Sequence, residues 1–156
     1  MKKTTNYLIL VAVSCVMIAC SKNEHSPVAN NISLHFNNTF KNNTIVLGGA
    51  NSVDASSNIS DSAQVHHLSE LKYVVSNIRL VKADGTEVPY NVNDLDKGAT
   101  VVNQAKPASL DYVLTNIPVG KYRQLKFGLG VKQEINTLDQ VRFPAFYAAA
   151  GANDTD

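Results

Sequence analysis

Apolar and polar residues alternate in the segment ISLHF, where Ile32, Leu34 and Phe36 are separated by Ser33 and His35. A period of two belongs to a strand with one buried face, so a strand is expected here with His35 on its outer side. NNTFKNN reads as a turn-rich connection, and TIVLGG as a short apolar strand closed by Gly48 and Gly49. Asn51 to Ser62 (NSVDASSNISDS) is a polar stretch and predicts a loop. Leu71 to Lys82 (LKYVVSNIRLVK) carries β-branched and aromatic residues without Pro or Gly, which makes it the richest strand candidate. Within it, Ser76 and Asn77 mark a bulge or a bend between two strands. Asp84-Gly85 supplies a hairpin turn into TEVPY. Pro89 has no N–H to give to a ladder and therefore suits a sheet edge.

NVNDLDKGATVVNQAKPAS reads as a long polar connection with an apolar patch at Val101 and Val102. In SLDYVLTNI, Leu110, Tyr112 and Leu114 fall on one face and Asp111, Val113 and Thr115 on the other. After a turn at Pro118 to Gly120, Leu125, Phe127, Leu129 and Val131 alternate with Lys126, Gly128 and Gly130. The two glycines leave room for another backbone. No long segment has helical period, and a short helical turn around Leu68 to Leu71 would not change the class. Short strands separated by turn signals predict an all-β fold, an antiparallel β-sandwich.

The first residues, MKKTTNYLILVAVSCVMIACSKNE, have a different pattern: two lysines, an apolar run from Tyr7 to Ala19, then Cys20. That is the charge order of a secretory signal, and the run is short for a bilayer span. Met-Ile-Ala-Cys resembles the lipobox of bacterial lipoproteins, in which the cysteine becomes the lipidated first residue. Cys15 would leave with the signal, so Cys20 would have no thiol to pair with and serves better as an acyl acceptor. Each buried methylene contributes about 0.8 kcal/mol and two or more chains anchor stably. The expected organisation is a signal over residues 1–19, a lipidated Cys20 with a polar tether over 20–30, and one sandwich domain over 31–156. FPAFYAAA followed by a polar tip leads to the expectation that this domain is incomplete at its C-terminal end.

Composition narrows the functional classes. The 156 residues are 44% hydrophobic, enough for one core. Of 14 basic residues, Lys2 and Lys3 lie in the signal; the remaining 12 face 13 acidic ones, a balance of −1. A near-neutral surface gives no footing for nucleic-acid binding. No Gly-x-Ser-x-Gly, phosphate-binding glycine loop or His-Glu-x-x-His occurs, so an enzyme is not expected. Asp94, Asp96, Asp111 and Asp139 read as solvated carboxylates, and Tyr73, Tyr112, Tyr122 and Phe127 as core or sheet-surface residues.

Three histidines remain as candidate metal ligands: His66 and His67, adjacent after the polar loop, and His35 on its strand. Imidazole suits copper in an oxidising compartment. Neighbours on a strand point to opposite faces, so His66 and His67 share an ion only where a turn or bulge intervenes. His25 lies in the tether.

ISLHFNNTF, then LSELKYVVSNIRLVKADGTEVPY from Leu68 to Tyr90, then LTNIPVGKYRQLKFGLGVKQEIN from Leu114 to Asn136 resemble, in order, the MbnP-like copper-binding family of bacterial envelopes. The resemblance implies a β-sandwich outside the inner membrane that binds or delivers copper without catalysis. With the lipobox it implies an outer-membrane lipoprotein of a Gram-negative cell, periplasmic or surface-exposed, held by its lipid within reach of an envelope protein partner. The alternative expectation is an adhesion, interaction or carbohydrate-binding sandwich without a metal site.

Overall fold

The computed structural model describes residues 30–136 and 140–151. The expected signal, Cys20 and most of the tether lie outside the described residues.

Alternation produces the first strand as expected, β1 (Asn30–His35), with Ile32 and Leu34 turned inward and His35 exposed. Two small hairpins follow. β2 (Thr39–Phe40) pairs with β3 (Asn43–Thr44), and β4 (Asn58–Ile59) with β5 (Val65–His66). The strand expected over TIVLGG is reduced to Thr44 at its start. Ile45 is buried and Val46 exposed, so single residues are used there instead of a repeating face.

The centre of the molecule is β6 (Lys72–Lys82), an 11-residue strand that runs through the expected bend. Asn77 has φ 51°, in the left-handed region that Asn tolerates better than most residues. The ladder to β10 (Tyr122–Leu129) skips a residue at the same place, between Lys126 paired with Arg79 and Gly128 paired with Ser76. The bulge is real, and it lies within one strand. Asp84-Gly85 makes the hairpin, with Gly85 at φ 91° and the Asp84 carboxylate accepting from the Thr86 N–H at 2.9 Å. It leads into β7 (Glu87–Pro89), which pairs only with β6 and puts Pro89 at an edge.

The long connection is more structured than its polarity suggests. It holds a one-turn helix, α1 (Leu95–Gly98), capped by the Asp94 carboxylate, and β8 (Thr100–Asn103), whose Val101 and Val102 are buried against the first half of β6. A 3₁₀ turn at Pro107–Leu110 precedes β9 (Asp111–Ile117), which pairs antiparallel with β1. FPAFYAAA forms a short helix, α2 (Pro144–Ala150), begun by Pro144 and ended by Gly151 at φ 82°. Pro at the first helical position and Gly just past the end are the residues each terminus favours.

Two layers result: β1 and β9 in one, and β10, β6, β7 and β8 in the other. Val75, Ile78, Leu80, Val102, Leu114 and Ile117 form the buried interface between them. A second cluster joins Leu95, Ala99, Val101, Ile135, Phe143, Phe146 and Tyr147 beneath the two helices. The class is thus an all-β antiparallel fold, sandwich-like in its layering.

The alternating positions of β10 do not all turn inward: Phe127 is 50% exposed, a sheet-surface residue, and Leu129 is 74% exposed. The described part of the covering layer has only two strands, and it does not reach over this end of β10. Nor do the glycines admit a close backbone. A side-chain carbon at Gly128 would make ordinary contacts of 3.7 Å or more, and one at Gly130 would meet nothing. Gly130 instead supplies a φ of 87°.

Candidate functional site

The three candidate histidines occupy different settings. His35 lies at the end of β1, directly opposite Asp111 at the start of β9. Its Nδ1 stands 2.7 Å from Asp111 Oδ1, and both side chains are 65% exposed. The antiparallel ladder brings together these two donors, 76 positions apart in the chain.

His66 ends β5 and is exposed, its ring 6.3 Å from that of Phe40. His67 follows the strand, half-buried, with Nδ1 buried and lacking a hydrogen-bond partner. The pair therefore sits where a strand stops, as sharing one ion would require.

Among the described residues, no group of three or more His, Cys, Asp or Glu side chains could hold a metal ion. Two of the other candidate carboxylates have structural partners. Asp94 caps α1 and Asp96 accepts from the Phe146 N–H at 2.8 Å. Cys20, His25 and Asp139 lie outside the described residues. A copper ion with three or four protein ligands does not fit the described donor set. The His35 and Asp111 pair fits two adjacent positions. Donors about 2 Å from a first-row ion and at right angles stand about 2.8 Å apart, close to the separation found.

The aromatic candidates divide as well. Tyr73 donates to Asn38 Oδ1 at 2.8 Å, and burial raises its phenol above the ordinary value. Asn38 in turn donates to Gln104, and Gln104 to the Ile45 carbonyl, tying the first hairpin to the sandwich. Tyr122 donates to the Pro118 carbonyl at 2.6 Å and steadies its own turn.

Tyr112 has another setting. It lines a cleft of about 520 Å3 between β7, β9 and α1, floored by Leu80, Val88 and Ile117. Its hydroxyl donates to the Lys97 carbonyl at 2.8 Å. Burial, followed by the Tyr90 phenol and Asp94, holds its phenol well above the usual range, so it stays neutral. Tyr90 also lines the cleft, its hydroxyl accepting from the Thr115 N–H at 3.0 Å.

Sequence pattern alone does not find this cleft, because its lining comes from two strand ends and a helix in an apparently polar connection. The available signal was Asn91 after Tyr90 and Asn116 before Ile117-Pro118, residues tolerant of left-handed backbone beside strand ends. They have φ 44° and 56°.

The described residues thus form a two-layer antiparallel domain with an exposed His35 and Asp111 pair at paired strand ends and a cleft between β7, β9 and α1. The MbnP family model matches residues 29–151, well over half of the chain. The chain belongs to the MbnP family. No curated protein and no solved structure matches it significantly.

Proposed function

We propose that this protein is a lipid-anchored envelope protein that binds copper as cargo, by coordination and without catalysis. Family membership supports the choice of metal. The observation that carries the site is the His35 and Asp111 pair, with donors 2.7 Å apart, exposed, and held by neighbouring strands. An imidazole and a carboxylate in adjacent positions suit Cu(II). Two protein donors leave most of the coordination sphere to water or a partner, which favours exchange over storage. Lipidation at Cys20 would keep the domain at the outer membrane, where an envelope partner could receive the ion.

Titration of the full chain with Cu(II), followed by calorimetry and electron paramagnetic resonance, tests this reading. Saturable binding of one ion is expected, weakened at least tenfold, or about 1.4 kcal/mol, by His35→Ala or Asp111→Asn. His66→Ala and His67→Ala should leave it within about threefold. Absence of stoichiometric binding at low micromolar copper would remove the copper assignment; loss through His66 or His67 alone would move the site. Replacement of Cys20 by Ser should release the protein from membranes into the soluble fraction, and retention would count against the anchor.

A further inference from the structure

The cleft between β7, β9 and α1 has a chemistry of its own, independent of the copper reading. Its floor is apolar, made by Leu80, Val88 and Ile117, while its rim carries two phenols and two carboxamides. Both charged residues in the wall are engaged elsewhere: Asp96 by the Phe146 N–H at 2.8 Å, and Lys97 by Asp94 at 3.0 Å. Tyr112 is neutral because burial and the Tyr90 phenol hold its proton. The two charges in the wall are opposite in sign and each already has a partner, so neither an anion nor a cation meets a net charge there.

The rim still has bonding capacity. The Tyr90 hydroxyl accepts from the Thr115 N–H and also meets the Tyr112 phenol, which leaves it one oxygen lone pair to accept a further bond. The Asn116 side chain makes no hydrogen bond among the described residues. Asn91 has one long bond, 3.5 Å to the Lys97 carbonyl. Of the five non-glycine residues with positive φ among the described residues, two line this cleft, Asn91 and Asn116. Left-handed backbone is uncommon outside glycine and concentrates at binding sites.

An apolar floor ringed by neutral donors and acceptors matches a pyranose ring, which has an apolar C–H face and hydroxyls at its edge. Small-ligand sites commonly combine such apolar walls with a few placed polar groups. We infer that this cleft is a binding site for a neutral saccharide unit, seated over Leu80, Val88 and Ile117 and hydrogen-bonded by Tyr90 and the carboxamides of Asn91 and Asn116.

NMR titration of the ¹⁵N-labelled full chain with glucose, galactose and N-acetylglucosamine tests the assignment, with glucuronate and inorganic phosphate as charged probes. At least one neutral sugar should give saturable shifts at Tyr90, Asn91, Thr115 and Asn116. Asn116→Gly removes the carboxamide while keeping a residue suited to its backbone angle, so the fold should survive. It should weaken binding at least fivefold with an unchanged melting temperature. Tyr90→Phe, checked for folding by near-ultraviolet circular dichroism, should weaken it similarly. The assignment is overturned if no neutral sugar gives saturable shifts, if the shifts map elsewhere, if a charged probe binds more tightly, or if folded Asn116→Gly binds as wild type does.

Discussion

The two layers around β6 and the paired ladders between Thr39 and His66 solve the same problem with different materials. Around β6 the buried groups are mainly aliphatic: Val75, Ile78, Val102 and Leu114 are fully excluded from solvent, and the one buried polar residue there, Ser76, donates to the Gly130 carbonyl at 2.6 Å. Within β4 and β5 the residue at the centre is Asn58, 3% exposed. Its amide reaches the Ser56 carbonyl, the Ser56 hydroxyl and the His66 carbonyl, each at 3.3 Å. One region is held by area removed from water and the other by satisfying a buried polar group. The first gives a rigid platform, which carries His35. The second gives a locally specified loop, which carries His66 and His67 and stands on very little apolar burial.

That contrast can be broken at its strongest point. Ile78→Ala empties a completely buried position and should cost about 2–5 kcal/mol, whereas Ile59→Ala, at a residue 53% exposed in the β4 ladder, should stay within about 0.5 kcal/mol. Chemical denaturation of the two variants checks this, and equal losses would show that the ladders share the main core. A smaller effect tests the link between the regions. Tyr73→Phe removes the hydroxyl that holds Asn38 and should cost about 1 kcal/mol, with faster amide exchange at Ile45 than at Ile78.

The smallest effect concerns pH. The Asp84 carboxyl is held below its usual range by the Thr86 N–H, and Glu87 by Lys126 and then Arg79. A lowered folded pKa contributes stability above the unfolded value and loses it as pH falls through the folded one. Melting temperature should therefore hold from neutral pH to about pH 5 and decline below about pH 4. Glu87→Gln should shallow that decline, and no change in its slope would place the acid sensitivity elsewhere.

The same contrast explains what could be read from sequence. β1 and β9 were legible because each repeats an apolar position on one face, β6 because its β-branched and aromatic residues run without Pro or Gly, and the Asp84-Gly85 turn because its chemistry is local. β8 was missed because two valines in a polar connection carry no period, although β6 buries both. Asn58 gave no signal of burial, since its partners are mostly carbonyl and hydroxyl groups that composition does not reveal. Phe127 and Leu129 share a strand's period and are 50% and 74% exposed, because periodicity identifies a face and says nothing of whether another layer covers it. For the site, His35 was legible as an outward strand residue, but its partner Asp111 depended on the register between β1 and β9. The cleft required three separate elements to meet, so it became visible only in three dimensions.

Gly98, at the end of α1, has no space for a side chain: a carbon added there would collide with the Asn91 carbonyl oxygen. Asn91 lines the cleft and Gly98 is packed directly behind it, so backbone meets backbone at that lip. At the opposite lip no such backbone collision limits Thr115, while Asn116, at φ 56°, still favours a residue that tolerates a left-handed backbone. The cleft has a fixed jaw and a freer jaw, and divergence in what it accepts should accumulate at Thr115 on the β9 side.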